Sequence, residues 1–199
     1  GQMDLAKTYL YQHQSEKVLQ VFDQLSARVQ DNPPLLKRLT SDANWAVAYL
    51  EQRRWPEALV QADAAYRVKL DKLGAKHYKT AKTQGVLAVA LYRNGRHEEA
   101  LAHFRSSLKV LLSRSRQSES SAETGQYTRH KVDMLLRAYI SLLADIQGSA
   151  LERQLPQGAA TEAFKMADIV RSRNVEGALL ASAARSAAND PVLAGLVRK

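Results

Sequence analysis

A chain of 199 residues, 45% hydrophobic and 25% charged, is long enough for one moderate core or a short repeat array, and its composition is that of a folded chain. It has no cysteine, which excludes disulfides, thiolate metal sites and a cysteine nucleophile within it. The net charge of +9 favours acidic partners, membranes or nucleic acid, but the basic residues are scattered, as charge carried for solubility is. No apolar run approaches the roughly 18–20 residues that span a bilayer. No basic-then-apolar leader is visible, and a cytoplasmic location is the expectation.

In chain order, Gly1-Gln2-Met3 enters helical pattern at once, like the start of an excised segment. Leu5, Ala6 and Tyr9, then Val18, Phe22 and Leu25, give a first, irregular pair of helices ended by Asp31-Asn32-Pro33-Pro34, since proline fits a first helical turn and not a helix interior. Leu35 to Gln52 is expected as one helix and Pro56 to Lys72 as its partner. After the turn Lys72-Leu73-Gly74-Ala75-Lys76-His77, helices are expected from Tyr78 to Asn94 and from His97 to Ser113. Asn44-Trp45-Ala46-Val47-Ala48-Tyr49, followed by Trp55-Pro56-Glu57-Ala58-Leu59, is echoed by Leu87-Ala88-Val89-Ala90-Leu91-Tyr92-Arg93-Asn94-Gly95, followed by His97-Glu98-Glu99-Ala100-Leu101. Ala58 and Ala100 lie 42 positions apart, and Val18 lies 40 before Ala58. A fixed period of this size marks an array of helix hairpins, none of which buries its apolar face alone. Gly95 is expected to close its helix in the left-handed conformation.

Residues 114–126, rich in Ser, Arg and Glu, are expected as a flexible loop. Helical pattern resumes near Tyr127 and carries Val132, Leu135, Leu136, Tyr139, Ile140, Leu143 and Ile146. A connection from Gly148 to Gly158 leads to a helix with Ala163, Ala167 and Val170, completing a degenerate fourth hairpin over 127–174 with an insertion. Asn174 to Ala188 is expected as a separate alanine-rich helix, and 175–199 as C-terminal helices leading to a downstream domain.

Ala46, Tyr49, Ala58, Ala88, Gly95, Ala100 and Phe104 resemble the tetratricopeptide repeat pattern, and the 42-residue period resembles its kinesin-light-chain variety. The chain departs from that variety with Tyr78 where proline is usual, Arg53 for the glycine of the second repeat and Ser107 for the alanine of the third. The resemblance implies an all-α, right-handed α-solenoid over 1–113 that binds a protein or peptide in a concave groove lined by its first helices. Glu162-Ala163-Phe164-Lys165-Met166-Ala167-Asp168-Ile169-Val170-Arg171-Ser172-Arg173, with the tail from Ala187 to Arg198, is similar to the segment preceding the CHAT domain of bacterial caspase-like proteins. That similarity implies a regulatory array ahead of a protease domain whose catalytic residues lie beyond Lys199.

Matching the repeat pattern places Lys7, Leu10, Tyr11, Thr40, Ala43, Asn44, Val47, Leu50, Glu51, Lys82, Gly85, Val89, Tyr92 and Arg93 on the groove. Val47, Leu50, Val89 and Tyr92 make it partly apolar, suited to a helix or an extended peptide; the alternative is that they pack against a later helix of the same chain. Asn44 and Lys82 match two positions of the clamp that holds acidic C-termini in chaperone-binding arrays, while Met3, Lys7 and Val86 hold the other three and do not match.

The five histidines, His13, His77, His97, His103 and His130, lack the spacing of a zinc site, and no phosphate loop or Ser/His/Asp wording is present. The segment is therefore read as non-enzymatic, without metal or cofactor. Its expected role is a protein-interaction scaffold. The rival readings are a basic array that responds to nucleic acid, for which a stacking face of basic and aromatic residues is wanted, and an architectural spacer or homodimerisation module.

Overall fold

A computed structural model describes residues 2–114 and 122–189. Most of the loop expected at 114–126, and the tail beyond 189, lie outside the described residues. Every regular element among the described residues is helical. In order these are α1 (Gln2–Tyr11), α2 (Ser15–Val29), α3 (Pro33–Thr40), α4 (Ala43–Glu51), α5 (Trp55–Leu73), α6 (Tyr78–Arg93), α7 (His97–Arg114), α8 (Ala122–Ile146), a short 3-10 helix (Ala150–Gln154) and α9 (Ala159–Asn189). The chain divides into two units, Gly1–Leu142 and Leu143–Lys199.

In the first unit the repeat period becomes a repeated turn. The pairs α1–α2, α4–α5 and α6–α7 each join through a residue with positive φ: His13 at 55°, Arg53 at 56° and Gly95 at 75°. The next amide reaches back five residues, from Gln14 to the Tyr9 carbonyl (2.9 Å), Arg54 to Tyr49 (2.9 Å) and Arg96 to Leu91 (3.0 Å). This closure satisfies a carbonyl that a helix end otherwise leaves unpaired. The carbonyls of Gln14, Arg54 and Arg96 then accept from the amides of Val18, Ala58 and Ala100, starting each second helix in the same register. Val18, Ala58 and Ala100 have no exposed surface, and Ala6, Ala46 and Ala88 are likewise buried on the first helices.

Two expectations about helix limits are corrected. Leu35–Gln52 is not one helix but α3 and α4, broken at Ser41-Asp42. Asp42 caps α4 by accepting from the Asn44 amide at 2.9 Å, and the Ser41 hydroxyl donates to the Arg38 carbonyl at 2.8 Å. Short polar side chains compete with the helical ladder in this way. Trp45 spans the break, its indole N–H donating to the Leu39 carbonyl at 2.9 Å while its ring packs against Phe22 at 4.8 Å. Conversely, α9 runs unbroken through Asn174. Asn174 and Gly177 cost helix propensity, about 1 kcal/mol for glycine, without removing a backbone donor as proline does. A third difference is smaller: α8 begins at Ala122 rather than near Tyr127.

α8 approaches α6 and α7 closely. A Cβ added at Gly85 would run into the Leu135 side chain and would stand 2.9 Å from Ser107 Oγ. Ser107 replaces the expected alanine without penalty because its hydroxyl donates to the Ala81 carbonyl at 2.7 Å. Phe104 and Tyr139 stack with centroids 5.1 Å apart. In the second unit Leu143, Ile146, Leu155, Ala159 and Val170 are buried. The Glu152 carboxylate accepts from the amides of Gly148 (2.7 Å) and Ala159 (2.8 Å), which hold it below the usual carboxylate range.

The turn comparison predicts opposite effects at equivalent positions. Arg53→Gly should stabilise the chain by about 1 kcal/mol, the cost of a left-handed non-glycine residue. Gly95→Ala should destabilise it by a similar amount, because an added Cβ meets nothing within 4 Å and only the backbone term acts. Urea unfolding of the two variants beside the wild type checks both signs.

Candidate partner-binding face

The positive-φ turns give a common ruler for the expected groove residues. Tyr11, Glu51 and Arg93 each stand two positions before such a turn, and Leu10, Leu50 and Tyr92 three before. The first set lies at the surface: Tyr11 is 47% exposed, Arg93 is exposed and Glu51 is half-buried. The second set is buried. One turn further back Val47 and Val89 are also buried, whereas Lys7 at the equivalent place on α1 is exposed. The structure thus divides the expected residues into a surface edge at the C-terminal ends of α1, α4 and α6 and an apolar layer beneath it. Thr40 and Ala43 are half-buried beside the α3–α4 break, and Gly85 lies under Leu135.

Polar contacts tie the edge together. His13 Nδ1 lies 3.4 Å from Glu51 Oε1, joining the first turn to α4. The Arg93 guanidinium lies 5.2 Å from the Tyr92 ring centroid and 5.7 Å from that of Trp55, close enough for cation–π attraction. Arg54 and Arg96, equivalent in the two hairpins, pair with Glu57 at 2.9 Å and Glu99 at 2.6 Å. Glu57 is held below the usual range by a backbone hydrogen bond and by Arg54, and Glu99 by Arg96. Exposed pairs of this kind are screened by solvent and add little to stability, so they orient the edge more than they stabilise it.

Beneath the edge at the other end of α4 lies a polar group that the sequence pattern did not single out. Lys131, on α8 and 3% exposed, donates from Nζ to Asn44 Oδ1. Burial, reinforced by Lys82 and opposed by Asp42, lowers its ammonium from 10.5 to about 7. Lys82, itself half-buried, is lowered by the same desolvation. Lys131 precedes Leu135, Ala138, Tyr139 and Leu142 at helical spacing, all of them buried; a lysine on an otherwise apolar stripe was the available signal.

Two histidines take structural roles. His103 faces Tyr66 edge-on at 5.6 Å and shares a 3.3 Å hydrogen bond with Gln84, and burial lowers its pKa. His77 caps α6, its Nδ1 accepting from the Lys79 amide at 3.1 Å. Among the described residues no group of three His, Asp or Glu side chains could hold a metal ion, and no helix is long and apolar enough to cross a membrane.

Residues 38–113 match the tetratricopeptide repeat family model. Two solved structures of kinesin light chain nearly identical TPR-like repeats from Podosopora anserina, one of them a variant of the other, are similar to this chain at 19% identity. Each likeness covers 88% of this chain and 94% of the other, with a TM-score of 0.50. No curated protein matches the chain. The fold is therefore an all-α solenoid of tetratricopeptide type, a class of repeat that generally mediates protein–protein interaction.

The burial of Lys131 sets a pH dependence. Its folded pKa lies below its unfolded one, so between pH 7 and 10.5 the unfolded chain binds a proton that the folded chain does not. Stability must then rise with pH across that window and lose its slope below it. Relative to Lys131→Met, the wild type should gain up to about 1.4 kcal/mol per pH unit. Urea unfolding of both proteins through this window measures the difference.

Proposed function

We propose that this chain is a protein-interaction scaffold whose partner docks along the first-helix face, entering at the edge formed by Lys7, Tyr11, Glu51 and Arg93. The observation that carries this reading is the burial pattern at equivalent repeat positions: Leu10, Leu50 and Tyr92 are buried while Tyr11 and Arg93 beside them remain at the surface. Tyrosine and arginine supply much of the energy at protein interfaces, because each offers a large, partly rigid contact area with a polar tip. Asn44, Val47, Leu50, Lys82, Val89 and Tyr92 then act from below, holding the exposed side chains in place.

The proposal extends to what the array controls. Glu162 to Arg173, the stretch similar to the approach to a CHAT domain, forms the N-terminal part of the single long helix α9. That helix leaves Phe164, Val175 and Leu179 exposed, at 76%, 56% and 65%, at spacings that align them on one face. An exposed apolar stripe on the helix leading out of the segment supports a regulatory arm that passes partner binding to a downstream protease-like domain.

Two experiments test these parts separately. In the first, the wild-type array and a Tyr11→Ala/Arg93→Glu variant are used as baits under crosslinking. The variant should bind the captured partner at least about tenfold more weakly, as expected for a hot spot, with an unchanged melting temperature. Equal binding by both baits removes the edge from the function. In the second, the gene is sequenced beyond the codon for Lys199; a region without a caspase-like His and Cys removes the protease arm.

A further inference from the structure

Helix α9 is apolar on two opposite sides. Ala159 and Val170, eleven residues apart, are buried and mark its inward side. Phe164 and Val175 each stand five residues further on, about 140° round the helix, and both are exposed. Leu179, also exposed, continues their line one turn later. Single apolar residues on a surface are ordinary, but three on one line over roughly 22 Å of helix do not make a solvent face. Asp168 and Arg171 lie between Phe164 and Val175 on this side and pair with each other at 2.6 Å, so the line carries no net charge. From Ala159 to Ala184 the acids Glu162, Asp168 and Glu176 balance the bases Lys165, Arg171 and Arg173. The whole +9 of the chain therefore lies outside these residues.

The line is also self-complementary. Phe164 stands seven residues before Arg171, and Leu179 seven after Ser172. A two-fold axis between positions 171 and 172 therefore sets Phe164 of each copy against Leu179 of the other, with the two Asp168–Arg171 pairs meeting at the axis. We propose that α9 pairs antiparallel with α9 of a second copy of this chain, covering Phe164, Val175 and Leu179 of both. An association of this kind uses the same patch twice and closes on itself. Charge selects this occupant. Two copies of a basic chain repel one another over most of their surface, whereas this balanced stretch does not repel its own copy, and it offers an acidic partner no excess of positive charge. The interface is short, so the pair forms and separates readily, as small interfaces do. The inference names what covers the α9 stripe. It holds whether or not a protease-like domain follows, and it is independent of the exposed edge on the first helices.

The test is sedimentation equilibrium of the full 199-residue chain over a concentration series that brackets a micromolar dissociation constant. The mass should rise from that of one chain to that of two. Phe164→Glu and Leu179→Glu should each weaken association at least about tenfold, because the two-fold axis makes every substitution act twice. Both positions are exposed, so the helicity and melting temperature of the dilute variants should match the wild type. Tyr11→Ala/Arg93→Glu should keep the wild-type association, which separates it from docking at the edge. Because the chain has no cysteine, single thiols read the register. Ser172→Cys, exposed beside the axis, should form a disulfide between copies on mild oxidation. Ser182→Cys, also exposed, should not, because an antiparallel pair holds its two thiols about 30 Å apart along the helices. A single-chain mass at every concentration overturns the proposal and leaves the stripe to a different segment or protein. A dimer that Phe164→Glu does not weaken overturns it too, as does self-crosslinking of Ser182→Cys, which requires parallel helices.

Discussion

The array depends on how closely two helices approach inside each hairpin. At the crossing, the first helix presents Ala6, Ala46 or Ala88 and the second presents Val18, Ala58 or Ala100, all buried. Small residues bring the backbones together, and the larger side chains on either side, such as Trp45 and Phe104, then fill the space between neighbouring hairpins. Lengthening any of these side chains would push two helices apart and misplace every contact that follows along the array. The short turn supports the same constraint: a left-handed residue and a bond reaching back five positions leave the second helix only one register in which to start.

This constraint explains why the repeats were readable from sequence and some of their details were not. The alanine ladder and Gly95 record the need for space and for positive φ directly in residue type, so Val18 could be aligned with Ala58 although the first repeat is degenerate. His13 carries no such mark, and Arg53 is placed at the glycine position only by repeat matching, because neither residue type signals positive φ by itself. The α3–α4 break was hidden for a related reason. The apolar pattern continues from Leu39 to Trp45 because Trp45 bridges the two helices, so hydrophobic spacing cannot distinguish one helix from two joined at a capping aspartate. The unbroken α9 is the reverse case, in which a boundary expected at Asn174 is overridden by the good helix formers around it.

The groove residues show where repeat matching stops. It assigns residues to positions along the first helices, but it does not say how much of that face lies under another helix. The difference between Tyr11 and Leu10, adjacent in sequence and opposite in exposure, follows from their pointing about 100° apart around α1, a distinction that a list of groove positions does not draw. Lys131 stood out only as a lysine on an apolar stripe, and its partner Asn44, 87 residues away, was not legible from that spacing.

Lys131 also bears on how a rigid scaffold can retain a responsive part. Most of the first unit is held by apolar contacts and backbone closures that do not titrate. The contact of α8 with α4 differs, because it includes the Lys131 amine, whose pKa burial lowers to about 7. A contact of that kind tightens as the lysine loses its proton, whereas Leu135 against Gly85 is fixed by shape alone. The titrating group at residue 131 and the shape-fixed contact at Leu135 lie one turn apart on α8, so a pH-dependent contact and a pH-independent one sit side by side on the same helix.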